Sequence, residues 1–499
     1  MKNKFFRAVT AVALAVIMLC TSAPVYAQTD AAQVAAGKVC RIGDVYYSTI
    51  EEAVSAVEKN GTATITMIAN DKIETGKEDG SNTHLKIEKA CNITIEGNNH
   101  TLTFENGGII PTVTGVTLTV NNLNIHDEFK TGIQSMVQGR NGATLTFNNC
   151  NFTSASDAGK WVVEKDGKPQ DYKLFQINNS GAKATNMIFN GGSISCALTH
   201  TSSSNIWLMM FRDATQKGSV EFRSVTFDLK DNISGIYGMG LNAVTAITGT
   251  TALSVKGIGM GACSGGQFHI ADTASFKSET GLMRSDVAGM DIIVTSAAES
   301  AFGDYTAPVM KDGATLRVDG KSYGLRFTSE MVASNISGAS VSYGTVVTKK
   351  STLDALEGCY DHWFFAANII GHEDFINIKA ENGLTTADNK ATFNAALVDI
   401  KAENVNAAMV GRAYAKYTYS TSMMNVYVYS KLDTEKNSAV YRDVVLAALA
   451  DVKTTADSEY TTAVEAYPVL ENGAYKWTNA TVYTRYGSKQ YSELKAVAE

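Results

Sequence analysis

The stretch Leu118-Thr-Val120-Asn-Asn-Leu123-Asn-Ile125 decides the fold class of this chain, because its spacing of apolar side chains recurs further along. Four apolar slots define it, as two alternating pairs separated by two polar residues. The same slots are filled by Leu145, Phe147, Cys150 and Phe152, by Met187, Phe189, Gly192 and Ile194, by Val220, Phe222, Val225 and Phe227, and by Leu253, Val255, Ile258 and Met260. Such a unit is typical of two short strands that meet at a corner, each with one face inward. Its recurrence at uneven spacing predicts a stacked solenoid with loop insertions.

Residues 1–27 have the pattern of an export signal. Three basic residues precede the apolar run of residues 8–20, and the small residue Ala27 stands at the expected cleavage position. The run is too short to span a membrane. Cys20 raises the alternative of a lipid-modified cysteine, although the bulky Leu19 before it is unusual for such a site. We therefore expect a secreted or non-covalently surface-associated protein whose mature chain has no transmembrane segment.

The mature chain is acidic. The whole sequence has 43 Lys and Arg against 50 Asp and Glu, and removing three basic residues with the signal leaves 40 against 50. This balance argues against nucleic acid as a partner. Six cysteines remain after processing, which permits disulfides without demonstrating any. Cys150 occupies an inward slot, where we expect it to act as a small hydrophobic residue.

A short amphipathic helix over residues 50–59 precedes the solenoid pattern. Thr49 and Glu52 have the spacing of a capping box, and Asn60-Gly61 should end the helix. A solenoid needs its open end covered, so we interpret residues 28–61 as an N-terminal segment with a capping helix. The solenoid should then occupy residues 62–320.

The span 62–320 resembles a right-handed parallel β-helix of the pectate-lyase-like superfamily. The resemblance rests on the repeated slots, the corner Gly97-Asn98-Asn99 and the phrase Gly142-Ala-Thr-Leu-Thr-Phe-Asn-Asn-Cys-Asn-Phe152. That superfamily contains lyases, glycosidases, esterases, tailspikes and adhesins, so the resemblance implies a fold and not an activity. The Asp-Asp, Gly-His-Gly and Arg-x-Lys motifs expected of a polygalacturonase-like enzyme do not occur.

A calcium-dependent lyase would need carboxylates that converge from neighbouring rungs, with an Arg or Lys as base. If the copies stack, the position eight residues after each start holds His126, Thr153, Ser195, Asp228 and Gly261, so carboxylates do not align there. The nearest approach to a lyase site is a group of five charged residues: Arg212, Asp213, Arg223, Asp228 and Asp231. Solvated charges on the outside of a solenoid are the alternative interpretation.

A polar insertion over residues 156–172 is the largest between two copies of the unit. Trp161 and Tyr172 stand near Asp166 and Asp171, a combination that could stack on sugar rings and hydrogen-bond to their hydroxyls. The alternative is that the two aromatic rings hold the insertion against the solenoid.

Residues 321–499 change character to mixed strands and helices. Strands are expected near residues 324–327, 343–348, 395–398 and 409–417, the last pairing with 424–429, and helices over 352–357 and around Tyr441 to Val452 after Asn437 or Ser438. These phrases resemble a C-terminal α+β domain that recurs in secreted proteins of anaerobic Gram-positive bacteria, a resemblance that implies no activity. Cys359 and His362 followed by His372 and Asp374 have local metal-ligand spacing, but four converging ligands are not indicated and we predict no metal site.

The expected fold is therefore mainly β: a right-handed parallel β-helix with an N-terminal capping helix, followed by a smaller α+β domain. We expect a non-catalytic extracellular or cell-surface protein that binds a glycan or matrix polymer along the β-helix, with an extracellular glycan or surface protein as partner. No residue is assigned a catalytic role and no cofactor is expected. The alternatives are a polysaccharide lyase or glycoside hydrolase, for which Ca²⁺ would be the cofactor, and a structural spacer.

Overall fold

Two compact units make up the chain in this computed structural model, Met1–Met290 and Asp291–Glu499. The structure describes residues 30–499 except 31, 35, 75–82, 106, 129–134, 155–163, 166–167, 170–171, 180–182, 198–205, 213–216, 230–232, 239, 241–242, 256–264, 279–289, 297–304, 321, 333–337, 356–374, 381–383, 421–423 and 456. The export signal predicted for residues 1–27 lies outside this description.

The first unit begins with a small antiparallel ladder and a short helix. The elements are β1 (Cys40–Ile42), β2 (Val45–Tyr47) and α1 (Ile50–Ala56). Thr49 caps α1 by accepting a hydrogen bond of 3.1 Å from the backbone N–H of Glu52, and the Glu52 carboxylate accepts one of 2.9 Å from the N–H of Ser48. The Thr49 half of the predicted capping box is thus present, but the Glu52 carboxylate bonds to Ser48, one residue before the cap, and α1 ends at Ala56 and not at residue 59.

Three long sheets of parallel strands form the rest of this unit. Sheet A contains β3 (Thr62–Met67), β6 (Cys91–Glu96), β9 (Val116–Asn121), β12 (Thr144–Asn148), β17 (Thr185–Asn190), β20 (Gly218–Arg223), β23 (Ala243–Thr248) and β25 (Gln267–Ile270), with β1 pairing antiparallel to β3. Sheet B contains β4 (Asp71–Ile73), β7 (Thr101–Phe104), β10 (Asn124–Asp127), β13 (Asn151–Ser154), β18 (Ser193–Cys196) and β21 (Thr226–Leu229). Sheet C contains β5 (Thr83–Ile87), β8 (Gly107–Pro111), β11 (Val137–Gly139), β16 (Tyr172–Ile177), β19 (Ile206–Phe211) and β22 (Ile233–Tyr237). The pairs β14 (Glu164–Lys165) with β15 (Lys168–Pro169) and β24 (Ala252–Val255) with β26 (Ser275–Ser278) stand apart.

The chain passes from sheet A to B to C and back to A, and one such passage is called a coil below. This order of parallel strands is compatible with a β-helix or solenoid. The corner between sheets A and B repeats a left-handed residue in successive coils: Asn122, Asn149, Gly191, Ser224 and Gly249, with φ between 50° and 71°. Asn and Gly tolerate this backbone conformation, which explains the polar or small pair inside the repeated unit.

The predicted register holds for the first four copies of the unit. Leu145 lies opposite Leu118, and Val220 opposite Met187, as equal slots require. The fifth copy is wrong, because Val220 lies opposite Thr245 and not Leu253. Leu253 instead lies in β24, opposite Phe276 of β26. Residues 258 and 260 of that copy lie outside the described part of the chain.

Aromatic rings fill the centre of the first unit. Phe147, Phe189 and Phe222 stack along sheet A, with ring centroids 5.2 and 5.0 Å apart. Phe175 from sheet C meets Phe189 at 4.5 Å, and Phe152 from sheet B meets it at 5.4 Å. All five rings are buried, so the inward slots of the repeated unit form one continuous apolar core.

The second unit is built from mainly antiparallel sheets. One contains β27 (Asp291–Val294), β36 (Met424–Tyr429), β35 (Ala408–Tyr419), β31 (Ala339–Lys349) and β32 (Ile376–Lys379), with β37 (Ser438–Val440) beside β35. Another contains β28 (Val309–Met310), β29 (Thr315–Asp319), β30 (Ser322–Val332), β34 (Lys390–Val398) and β33 (Thr385–Ala387). Two further pairs are β38 (Thr461–Ala463) with β41 (Val482–Thr484) and β39 (Ala466–Glu471) with β40 (Ala474–Asn479). The helices are α2 (Lys350–Ala355), α3 (Tyr441–Ala450) and α4 (Ser488–Ala498), with a 3-10 turn at Ala402–Asn404.

The core of the second unit lies between its sheets and its two longer helices. Phe327 and Phe393 from the sheet of β30 and β34 belong to one buried cluster with Tyr441 and Leu449 of α3 and Tyr491 of α4. The buried side chains of α3 recur at helical spacing, which is why this segment forms an amphipathic helix. No described helix in either unit is long and apolar enough to cross a membrane.

Most elements predicted for the second unit are confirmed, including the pairing of β35 with β36. The predicted helix cap is wrong, because α3 begins after Val440, and Ser438 lies in β37. Residues 314–318 were expected to continue the rung pattern, yet β29 pairs antiparallel with β30. The division between the units falls before Asp291, ahead of the boundary predicted near 320. That each unit folds alone stays a prediction.

Candidate functional site

The glycan site predicted on the polar insertion has one described member. Trp161, Asp166 and Asp171 lie outside the described residues, whereas Tyr172 begins β16. Tyr172 is fully buried, and this burial raises the pKa of its phenol. Its position corresponds to the alternative in which the aromatic ring holds the insertion against the solenoid.

The predicted lyase group is divided among three sheets. Asp213 and Asp231 lie outside the described residues. Arg212 follows β19 of sheet C, Arg223 ends β20 of sheet A, and Asp228 lies in β21 of sheet B. Asp228 accepts a hydrogen bond of 3.3 Å from the hydroxyl of Ser195 in the neighbouring coil and is exposed. No ion pair joins these three described members, and Arg223 is paired with Glu221 instead.

Arg223 has a different carboxylate partner, which the sequence reasoning missed. Glu221 is fully buried and accepts hydrogen bonds of 3.1 and 3.3 Å from Nε and Nη2 of Arg223. Thr248 donates a third, of 2.7 Å, from the next strand of sheet A. A buried carboxylate with three such donors is satisfied in place, as burial of a charge requires. This pair therefore stabilises the stack of β20 on β23.

A group of carboxylates does align between coils, but at positions outside the predicted column. Glu74, Glu105 and Glu128 each follow a strand of sheet B in three successive coils. All three approach the ammonium of Lys72, at 3.6, 4.0 and 3.2 Å. The sequence signal is a glutamate directly after the sheet B strand of each of these three coils. The first of these strands ends at Ile73.

This acidic column does not have the geometry of a metal site. Lys72 Nζ lies between the three glutamates, where it supplies the positive charge that a cation would otherwise bring. Among the residues that the structure describes, no group of three or more His, Cys, Asp or Glu side chains could hold a metal ion. The ligand set weighed at residues 359–374 lies outside those residues. Cys40, Cys91 and Cys150 are free thiols, and these three cysteines and Cys196 are buried.

The outer side of sheet A is a flat array of small polar side chains over five coils. We call it the Thr/Asn face. It has eight threonines, five asparagines, one glutamate and one isoleucine: Thr62, Thr64, Thr66, Asn92, Thr94, Glu96, Thr117, Thr119, Asn121, Thr144, Thr146, Asn148, Asn186, Ile188 and Asn190. All fifteen are partly or fully exposed, and they stand in three straight columns because the strands pair without a shift in register.

Hydrogen bonds along one column hold the edge of this face. The Asn121 amide donates to Glu96 at 2.7 Å, Asn148 donates to Asn121 at 2.8 Å, and Asn190 donates to Asn148 at 3.3 Å. Each amide therefore has a fixed orientation, and Glu96, the single charge in the array, is already engaged. The result is a regular surface that is polar but almost uncharged.

A cleft of about 450 Å³ lies in the second unit. Its apolar wall includes the buried side chains of Val347, Leu397 and Met409, and its rim includes Lys349 and Asp399. The volume lies in the usual range of small-ligand sites. Asp399 has a left-handed backbone with φ of 55°, which turns the chain sharply after β34.

Comparison with known proteins does not add a relative to these observations. No protein-family model, no curated protein and no solved structure matches the chain.

Proposed function

We propose that this protein is a non-catalytic extracellular or cell-surface protein that binds a glycan or matrix polymer along the Thr/Asn face. The single observation that carries the proposal is the regular array itself, which is open to solvent across five coils. Parallel strands are spaced by about 4.8 Å, so the array offers equivalent groups at a constant repeat. A polymer with its own repeat can meet many of them at once.

The side chains of the face suit the hydroxyl groups of a sugar. A threonine hydroxyl both donates and accepts, an asparagine amide does the same, and each threonine adds a methyl group for apolar contact. Threonine is stiff about its first side-chain bond, and the amides of Asn121 and Asn148 are held by the ladder. Little side-chain entropy is therefore lost on binding, which favours affinity.

The charge pattern of the face favours a neutral polymer. Glu96 is its single ionisable residue, and no lysine or arginine belongs to the three columns. An anionic chain would meet no counter-charge there, and the mature sequence is itself acidic. Secretion through residues 1–27, a right-handed β-helix of the pectate-lyase-like class and non-covalent surface association belong to the same proposal.

The test is binding and turnover on matched polysaccharides. Purified mature protein is passed over neutral and acidic polysaccharide columns with and without Ca²⁺, while new reducing ends and unsaturated uronide absorbance are followed. We expect retention on a neutral glycan without product. Thr119→Arg places a long charged side chain in the middle column and should weaken retention about tenfold or more, since it lifts a polymer off several neighbouring rows.

The matched control is Thr153→Arg, at a half-buried threonine on the outer side of sheet B. It adds the same charge away from the Thr/Asn face and should leave retention unchanged. Equal losses in the two variants would overturn the assignment to sheet A. Trp161→Ala separately measures what the insertion contributes.

A polysaccharide lyase or hydrolase is the second candidate, favoured by the acidic column around Lys72. Lyase chemistry needs a base such as Lys or Arg beside acidic groups, and Lys72 lies among carboxylates from neighbouring coils. Turnover abolished by Lys72→Met would replace the binding proposal with this one. Absence of both binding and turnover would favour the structural spacer.

For the second unit we propose a partner-binding or anchoring role. The cleft between Val347, Leu397 and Met409 supports this role, because it combines an apolar wall with charged groups at its rim.

A further inference from the structure

A second surface of the first unit carries positive charge without a described counter-charge. Four cations occupy the turns that lead from sheet C to sheet A, and we call them the basic corner: Arg140, Lys183, Arg212 and Lys217. Arg140 follows β11, Arg212 follows β19, and Lys183 and Lys217 precede β17 and β20. The turns therefore belong to successive coils of one edge of the unit.

Backbone hydrogen bonds bring these turns together. The N–H of Asn178 donates to Gly139 at 2.9 Å, and the N–H of Arg212 donates to Ile177 at 3.0 Å, so the residue after each strand of sheet C stacks on the next. The amide of Asn179 donates to the carbonyls of both Lys183 and Lys217, at 2.6 and 2.9 Å. One asparagine thus spans the two turns that carry the lysines.

The side chain of Arg212 reaches back to the intervening coil, toward the turn that carries Arg140. Nη1 of Arg212 donates to the side-chain oxygen of Asn178 at 3.2 Å, which carries its guanidinium back toward Arg140. The pKa of Arg140 is lowered by partial burial and by the charge of Arg212. The charge of Arg212 that lowers this pKa also repels Arg140, and an anion bound beside the two arginines would relieve this repulsion.

These cations have no acidic partner among the described residues. Within the described residues, none of the four has a carboxylate within ion-pair distance. Nε of Arg140 is buried and has no hydrogen-bond partner. A buried donor without a partner is unusual, and an arginine donor is best satisfied by an oxyanion that accepts two parallel hydrogen bonds.

We propose that the basic corner binds tetrahedral oxyanions, sulfate or phosphate, carried on an extracellular polymer. The turns repeat at about 4.8 Å per coil, so anionic groups along one chain can reach the arginines and the lysines together. A sulfate ester or a phosphate monoester presents three terminal oxygens, against two in a carboxylate, so it can accept hydrogen bonds from more of these cationic donors at once. This inference uses residues outside the Thr/Asn face and does not depend on the function proposed for that face.

The experiment compares dextran sulfate, unsubstituted dextran of the same length and polygalacturonate, each titrated into the mature protein at low and physiological salt. We expect dextran sulfate to bind most tightly, to weaken as salt rises, and to be displaced by inorganic phosphate. Displacement by phosphate at lower concentration than by inorganic sulfate would identify phosphate as the preferred group, and the reverse would identify sulfate. Dextran reports on neutral binding, so the Thr/Asn face and the basic corner are tested separately.

The double variant Arg140→Gln/Arg212→Gln should weaken dextran sulfate binding about tenfold or more, because it removes two charge-assisted contacts. Its control is Lys59→Gln/Lys277→Gln, which removes two positive charges at exposed positions elsewhere in the first unit and should change binding less than about twofold. If the arginine variant does not fold by circular dichroism, Lys183→Gln/Lys217→Gln at exposed positions takes its place with the same expected direction.

Three results would overturn the inference. Dextran sulfate that binds no better than dextran would remove the anion site. Equal losses of dextran sulfate affinity in the corner and control variants would show that the binding depends only on the net charge of the protein. Polygalacturonate that binds as tightly as dextran sulfate would remove the preference for a tetrahedral group.

Discussion

Phe189→Ala is the most demanding test of the stacked core. The Phe189 ring lies between Phe147 and Phe222 in the stack and also touches Phe152 and Phe175, with all four centroids within 5.4 Å. Truncation of a buried phenylalanine costs about 3–5 kcal/mol, and each aromatic pair adds to the loss. Because this ring has four such neighbours and is only 1% exposed, we expect a loss near the upper end, about 5 kcal/mol.

Urea unfolding followed by circular dichroism measures this loss, provided that the slope of free energy against urea is unchanged. Phe276→Ala is the matched control, since Phe276 lies in β26, is 7% exposed and meets Phe268 at 5.0 Å. We expect about 3 kcal/mol there. A loss at Phe189 below about 2 kcal/mol, or no larger than at Phe276, would refute a continuous aromatic stack through coils of sheets A, B and C.

Two further predictions concern the first unit. Val225→Asp places a charge in an inward slot that is 3% exposed and should lower the free energy of unfolding by roughly 3 kcal/mol or more. The control Thr226→Asp, at the next and exposed position, should lower it by less than about 0.5 kcal/mol. Similar melting temperatures for the two variants would disprove the register. Burial lowers the pKa of His269 to about 3. Above about pH 6.5 the histidine is neutral in both the folded and the unfolded chain, so its contribution to stability is complete there. As the pH falls from about 6.5 toward 3 only the unfolded histidine binds a proton, and the free energy of unfolding decreases by roughly 1.4 kcal/mol per pH unit. His269→Gln should therefore reduce the acid slope of the unfolding free energy, and a slope equal to that of the unsubstituted protein would contradict this cause.

The core of the first unit was predictable from the sequence because the side chains that pack inside it must be apolar. Inward slots such as Leu118 and Phe147 must be apolar, and they return at the same offset in each coil. The register failed where a polar residue takes an inward slot. Thr245 is fully buried opposite Val220. Because threonine is polar, this coil lacks the apolar residue that the repeated unit has at its first slot. Leu253, which lies after the corner of that coil, was then mistaken for its start.

Side-chain groupings that depend on coil length were harder to predict. The approach of Glu74, Glu105 and Glu128 to Lys72 requires the register of the first coils, which have only partial copies of the repeated unit. The partner of Arg223 was missed for another reason. Glu221 lies on the outer side of its strand, where a charge is expected to be solvated, but its burial makes the pair part of the packing.

The start of the second unit could not be located from the spacing of apolar residues alone. β28 and β29 are short, and each pairs antiparallel with β30 of the second unit. A short alternating segment such as residues 315–319 has the same period whether it pairs in parallel with a preceding rung or folds back in a hairpin. The tight turn around Gly320, with φ of 58°, is the local feature that favours the hairpin.

The repeated geometry of the first unit also determines how its two proposed surfaces can act. The described residues of the Thr/Asn face and of the basic corner are all partly or fully exposed, so a single sugar or a single sulfate gains only one or two exposed contacts there, and such contacts are weak. Contacts at a constant repeat of about 4.8 Å become additive for a chain that follows the stack, because each later contact is made at a high effective concentration. Affinity should therefore rise steeply with polymer length on both surfaces. The cost of a single substitution should be larger for the polymer than for its monomer, since a disturbance at Thr119 or Arg212 interrupts a row of contacts and not one.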